Sequence, residues 1–252
     1  MERILVATDL SARSDRAVMR AAHLAQAHGA ALRIVHVVSD DVPGAILQRR
    51  SEEAEEVLAA MVAANPTLKA LAPAVDVEAG RLDRLIPEVA RSGEADLIVV
   101  GSHRGRGLAD LLGAPTLSRV LRGVDVPVLV AVGRPEADYA EVSIGWDFSP
   151  AGEAATKVAL ALAPKAAMTF VHSWHEPVAA MPYAYEGGGA ITEEALERLR
   201  GQVARSVAGI VKNPSVKVLV GPPAYILARQ AEEGADLLAV GRHARSGLAR
   251  LV

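Results

Sequence analysis

The second half of this chain repeats the first, and that duplication limits the fold more than any other feature. Ile4-Leu5-Val6-Ala7-Thr8-Asp9-Leu10-Ser11 returns as Val142-Ser143-Ile144-Gly145-Trp146-Asp147-Phe148-Ser149. Ile34-Val35-His36-Val37 returns as Phe170-Val171-His172-Ser173. The run from Ala95-Asp96-Leu97 to Gly101-Ser102-His103 returns as Ala235-Asp236-Leu237 to Gly241-Arg242-His243. The order is kept, and all offsets fall between 136 and 140 residues. Three matches in register at that spacing mark a duplicated domain, not a short solenoid repeat.

Each half alternates short apolar runs with longer helical patterns. In the first half the predicted strands are 3–8, 31–38, 75–79, 96–100 and 127–132, with helices at 12–28, 50–64, 82–92 and near 116–123. In the second half the strands are 142–147, 167–173, 215–220 and 236–240, with helices at 150–163, 192–209 and 223–233. Continuous apolar strands interleaved with helices specify an α/β fold, a parallel sheet covered on both faces. The polar stretch 133–137 is the expected linker. It gives domains 1–134 and 138–252, the second spelled without a final helix and strand. Residues 174–190 read as a long loop with Pro177, Pro182, Tyr183 and Tyr185.

Composition removes several classes of function. The chain has no cysteine, which excludes disulfides, thiolate metal sites and a Cys nucleophile. A net charge of -3 and 3% aromatic residues argue against a nucleic-acid partner. The opening apolar run ends at Asp9, too short for a signal peptide. No run approaches the roughly 20 apolar residues of a membrane span. The expectation is a cytoplasmic protein with no membrane partner.

In an open α/β sheet, ligands bind outside the carboxyl ends of the strands, where strand order reverses. Asp9 ends the first strand and Gly101-Ser102-His103 follow the fourth. With strand order 3-2-1-4-5 these two strands are neighbours and flank that crevice. Asp9 offers an acceptor there, and Gly101 allows close approach of a ligand to the backbone. Gly105, Gly107 and Gly113 could present amides to phosphate, and Arg104 and Arg106 add positive charge.

The same residues have plainer readings. An Asp at a strand end followed by Ser is a turn or helix-cap residue. His36 and His172 read as structural, while the recurrence of His103 and His243 in equivalent loops weighs as much for ligand contact as for solvation. Glu52, Glu53, Glu55 and Glu56 form a solvated helix face. Trp174-His175 could line a pocket, but a loop packed on itself is the simpler reading. No Gly-x-Ser-x-Gly elbow, His-Glu-x-x-His helix or Walker Gly-Lys-Ser/Thr is present. No histidine pair has a third ligand at metal spacing.

Together, the Ile4-to-Ser11 run, the His36-Val37 strand end, Gly80, the Ala95-to-His103 run and Pro127-Val128-Leu129-Val130 resemble the universal stress protein family in its tandem two-domain form. The resemblance spans essentially the whole chain. It implies two tandem open parallel sheets of order 3-2-1-4-5, Rossmann-like and adenine nucleotide alpha hydrolase-like. It also implies ATP, with Mg2+ as its accompanying ion. Asp9, with Thr8 before it, and the backbone of Val37 fall where the family holds adenine. Gly101, His103, Arg104, Gly105, Gly113 and Thr116 fall along the family's phosphate pattern, Gly-x2-Gly-x9-Gly-Ser/Thr.

The match to that pattern is imperfect. Arg104 stands at the second glycine, with Gly105 one residue late, and Ala114 at the third, with Gly113 one residue early. Pro115 stands at the Ser/Thr position and has neither N–H nor hydroxyl; Thr116 comes next. In the second half the counterparts are Asp147, Ser173, Gly241 and His243, and Ala244 replaces the second glycine. The implied role is a stress-response, adenine-nucleotide-binding module, regulatory rather than catalytic, that forms a homodimer through strand 127–132. Two other readings stay open. One is a degenerate member that acts through protein–protein contacts without nucleotide. The other is a slow ATP hydrolase or phosphoryl-transfer enzyme.

Overall fold

The computed structural model describes residues 1–102, 115–133, 135, 137–174 and 192–242, and the chain divides into two compact units, Met1–Ala137 and Asp138–Val252. The first runs β1 (Arg3–Thr8), α1 (Ala12–His28), β2 (Ala31–Val38), α2 (Gly44–Ala64), α3 (Pro66–Leu71), β3 (Ala74–Ala79), α4 (Leu82–Ser92), β4 (Leu97–Gly101), α5 (Pro115–Gly123) and β5 (Val128–Ala131). Its five strands are all parallel, in the order β3-β2-β1-β4-β5. The second unit runs β6 (Glu141–Gly145), α6 (Pro150–Leu162), β7 (Ala167–Trp174), α7 (Glu193–Val207), β8 (Ser215–Val220), α8 (Pro223–Glu232) and β9 (Leu237–Ala239). Its strands are parallel in the order β8-β7-β6-β9, the same order as the first four strands of the first unit.

Strand alternation splits the core of the first unit into two layers. Leu5, Val35 and Ile98 point to one face, where Ile86, Val89 and Ala90 of α4 and Val120 and Val124 at the end of α5 cover them. Ile4, Val6, Ile34, Leu97 and Val99 point to the other face and are buried there. That face receives α1, whose buried stripe includes Ala17, Val18, Ala21, Leu24 and Ala25. The alanines let the helix lie close to the sheet. Each aliphatic side chain buried in this way contributes roughly 1.5–3 kcal/mol.

Two helix boundaries differ from the sequence pattern. The second helix starts at Gly44 rather than residue 50, because Pro43, with φ -56°, starts it early. Only Ala54 and Leu58 of this helix are fully buried; the Ala45, Ile46 and Leu47 of its first turn are exposed or half-buried, so no buried face marks its start. The short helix α3 was not expected. Asn65 caps it, its side chain accepting from Thr67 N at 3.0 Å and Leu68 N at 3.1 Å, with Pro66 at the first helical position. Asn-Pro is a start signal in its own right.

The repeated Ala-Asp-Leu motif is a clamp at the amino ends of the strands. Asp96 Oδ2 accepts from Glu2 N at 2.5 Å and Arg3 N at 2.9 Å. Asp236 Oδ2 accepts from Ala140 N at 2.9 Å and Glu141 N at 3.0 Å. Both carboxylates thus tie the incoming first strand of their unit to the fourth. The two backbone bonds, from Glu2 and Arg3, outweigh desolvation and hold the Asp96 carboxyl below the ordinary aspartate range. A carboxylate depressed in the folded state stabilises fully above the unfolded value near 4 and loses that contribution as pH falls through the folded value. Asp96→Ala is therefore expected to cost about 1 kcal/mol at pH 7, allowing for exposure, and progressively less below about pH 4. Denaturant melts of both proteins across pH 2–7 check this; a constant difference at all pH would contradict it.

Among the described residues, no helix is long and apolar enough to cross a membrane.

Candidate functional site

The strand order of the first unit reverses between β1 and β4: β1 connects through α1 to β2 on one side, and β4 lies on the other. Ala7 pairs with Val100, so Asp9 and Gly101 both lie at the carboxyl edge of neighbouring strands. This is the crevice where ligands of open α/β sheets bind.

A tight turn presents Asp9. Leu10 takes a left-handed conformation at φ +60°, which costs a non-glycine residue on the order of 1 kcal/mol. The turn carries the chain back toward α1, and Asp9 Oδ1 accepts from Ser11 Oγ at 2.6 Å and Ser11 N at 3.1 Å. Ser11 is also the N-cap of α1, in a capping box with Ser14. The second unit repeats this closely. Phe148 has φ +61°, and Asp147 Oδ1 accepts from Ser149 Oγ at 2.5 Å and Ser149 N at 3.1 Å. The turn reading and the ligand reading of Asp9 are thus compatible, since one oxygen serves the turn and a carboxylate has acceptor capacity to spare. Desolvation pushes the Asp9 carboxyl up, but hydrogen bonding from Ser11 and Ser14 outweighs it and holds the group below the usual range. Asp9 is therefore ionised at neutral pH.

Thr8 is buried, and its hydroxyl is committed within the turn, 2.9 Å from Ser14 Oγ and 3.1 Å from Leu10 N. Val37 lies one residue beyond the Thr8–His36 pair. The carbonyl of Val38 accepts from Gly80 N at 2.9 Å on the β3 side. Successive carbonyls of a strand point to opposite sides, so that of Val37 points to the β1 side, level with the end of β1. Ala7, Val37 and Val100 are half-buried extensions of the α4-face core near the carboxyl ends of β1, β2 and β4, and leave apolar surface there. An ionised acceptor, a backbone acceptor and apolar surface suit a flat heterocycle bearing an amino group.

Gly101 lies close against helix α1. A Cβ there would meet Ser14 Cα at 3.1 Å and Arg13 O at 3.3 Å, so helix α1 occupies the space that its missing side chain leaves. At Gly241 the approach is closer, 2.4 Å to the carbonyl carbon of Ala151 and 2.6 Å to its oxygen. These glycines seat the N-terminus of the first helix of each unit against the fourth strand. Ser173, at the position of Val37, donates its hydroxyl to Gly221 O at 2.6 Å. His103, Arg104, Gly105, Gly113 and His243 lie outside the described residues, as do the side chain of Thr116 and residues 175–191. Among the described residues no group of three His, Asp or Glu could hold a metal ion.

The two units differ in one respect that the repeat conceals. All eight Phe, Trp and Tyr residues lie after position 138. Trp146 replaces Thr8, Phe148 replaces Leu10 and Phe170 replaces Ile34 by the repeat. Trp146 meets Phe170 and Phe148 edge to face, at 5.6 and 6.3 Å between ring centres. The polar turn of the first unit is thus backed by aromatic rings in the second.

The family model described as the universal stress protein family matches residues 1–131 and 139–252. A universal stress protein of Mycolicibacterium smegmatis is 30% identical over 97% of this chain and 88% of its own length. Universal stress protein A homolog 1 of Coxiella burnetii is 32% identical over 44% of this chain and 83% of its own length. Among solved structures, a universal stress protein from Archaeoglobus fulgidus aligns with a TM-score of 0.64 at 20% identity, over 94% of this chain and 85% of that one. That last likeness is one of fold.

Proposed function

Because this chain belongs to the universal stress protein family, we propose that its first unit binds an adenine nucleotide at the Asp9 crevice and acts as a regulatory module rather than an enzyme. The observation that supports this most is the register of β1 and β2, which sets the Asp9 carboxylate at the end of β1 level with Val37, whose carbonyl is directed to the β1 side. Adenine presents an amino group that donates two hydrogen bonds, and the crevice offers it two acceptors and apolar surface. The phosphates would run past Gly101 toward residues 103–116, where Arg104 and Arg106 supply cationic side chains and Mg2+ would accompany the triphosphate. Calorimetric titration of the full chain with ATP and Mg2+ tests the reading. Binding at one site per chain is expected. No heat and no rise in melting temperature at millimolar ATP would instead favour a member that works through protein contacts alone. The regulatory role predicts no sustained phosphate release. Release abolished by a crevice mutation would overturn that part.

Assembly belongs to the same proposal. Strand β5 is the outer edge of the first sheet, and among the described residues no strand pairs with its free side. Its side chains are buried or half-buried, and Val132 just beyond it is 54% exposed. An unpaired apolar edge is an association site, so a homodimer through 127–132 is the expected state. Light scattering at tens of micromolar should give the mass of two chains; the mass of one would count against the contact.

A further inference from the structure

His36 Nδ1 lies 2.9 Å from the carbonyl oxygen of Thr8, and His172 Nδ1 lies 2.7 Å from that of Trp146. Each carbonyl belongs to the residue just before the strand-end Asp. A carbonyl oxygen only accepts, so in both rings Nδ1 carries the proton, and in the neutral ring Nε2 is bare. The geometry points to His36 and His172 as positioning residues: each imidazole pins the carbonyl of the residue just before Asp9 or Asp147 and so fixes where that Asp leaves the sheet. For Asp9 as a ligand group, this rests on the nucleotide reading above.

The pin sits two residues before a strained turn. One residue after Asp9 the chain enters a strained left-handed turn at Leu10, and the same strain recurs at Phe148. Such a conformation persists only where its surroundings over-determine it. On one side Thr8 is tied by its hydroxyl to Ser14 of α1; on the other its carbonyl is tied to His36 of β2. In the second unit Trp146 has no such hydroxyl. There its indole Nε1 donates to Ser206 Oγ at 3.0 Å, and its N–H donates to Val171 O at 2.9 Å. Phe148 packs edge-on against the His172 ring at 5.2 Å. The surroundings have changed from aliphatic to aromatic, yet the imidazole–carbonyl bond is the same. Packing alone does not ask for that, because a ring kept only for its shape needs no fixed tautomer.

The test uses the full 15N-labelled chain. Long-range 1H–15N spectra above the histidine titration range should show Nδ1 protonated and Nε2 bare in His36 and His172. The opposite tautomer at His36 would overturn the proposal, and this reading needs no variant to fold. His36→Leu removes the donor; His36→Asn restores an N–H close to where Nδ1 sits. In His36→Leu the Ser11 amide resonance, whose N–H is shared between Asp9 Oδ1 and Ser14 Oγ at 3.1 Å each, should shift. ATP affinity should fall about fivefold, the equivalent of one net hydrogen bond. His36→Asn should return both toward the parent values. An unmoved Ser11 amide with unchanged ATP affinity in His36→Leu would overturn the proposal. If the parent chain binds no ATP while the tautomer and the Ser11 response are as stated, the nucleotide reading fails and the positioning role stands.

Discussion

Gly241→Ala should destabilise the second unit by roughly 3 kcal/mol or more, the upper end of what over-packing costs. The added carbon would stand 2.4 Å from the carbonyl carbon of Ala151, a backbone atom at the start of α6. Nothing there can rotate away. The helix would have to lift off the end of β9, and the cap made by Ser149 on Gly152 N, now 3.1 Å, would go with it. The matching change in the first unit, Gly101→Ala, meets its nearest backbone atom at 3.1 Å and should cost about 1 kcal/mol. The measurement is simple because both tryptophans, Trp146 and Trp174, lie in the second unit. Trp146 is 3% exposed, so its fluorescence during denaturant unfolding reads that unit alone. A midpoint unchanged by Gly241→Ala would mean that the helix seat yields far more easily than its geometry implies.

The second large effect concerns affinity. Asp9→Ala should weaken ATP binding ten- to a hundredfold, the range for a hydrogen bond to an ionised group of roughly 1.5–3 kcal/mol. The same change also removes the acceptor of Ser11 Oγ and one of the two acceptors of Ser11 N, and loosens the entry to α1. Asp9→Asn separates the two contributions. Its side-chain oxygen can still accept from Ser11, but it has lost the charge, so stability should recover more than affinity. Asp147→Ala should leave the first-unit site untouched, since Asp147 lies in the second of the two compact units. Calorimetry on the three variants checks the order. Equal affinity in Asp9→Ala and the parent would mean that the base is held elsewhere.

The architecture was largely legible because it rests on long-wavelength signals. Buried parallel strands read as unbroken apolar runs, and the duplication marked β1, β2 and β4 a second time. Element ends were less legible. The start of α2 at Gly44 depends on one proline and has no fully buried residue in its first turn, and α3 is shorter than any periodicity can show. In the site, Asp9 could be found from its place at a strand end, and its double use as cap partner and acceptor follows from having two oxygens. The work of Gly101 could not be found, because a glycine's spelling is silent about which backbone comes close. His36 reads locally as an ordinary strand histidine; its signal is that His172 recurs with a different neighbourhood around it. Asp96 was visible only as part of a motif, and its partners are backbone amides some 93 residues away.

Crystals of the chain grown with ATP and Mg2+ would test the central claim most directly. The account predicts adenine density over Ala7, Val37 and Val100, with its amino group within hydrogen-bonding distance of the Asp9 carboxylate and the Val37 carbonyl. Nucleotide density at Asp147 alone, or a base lying away from Asp9 in the first unit, would contradict it.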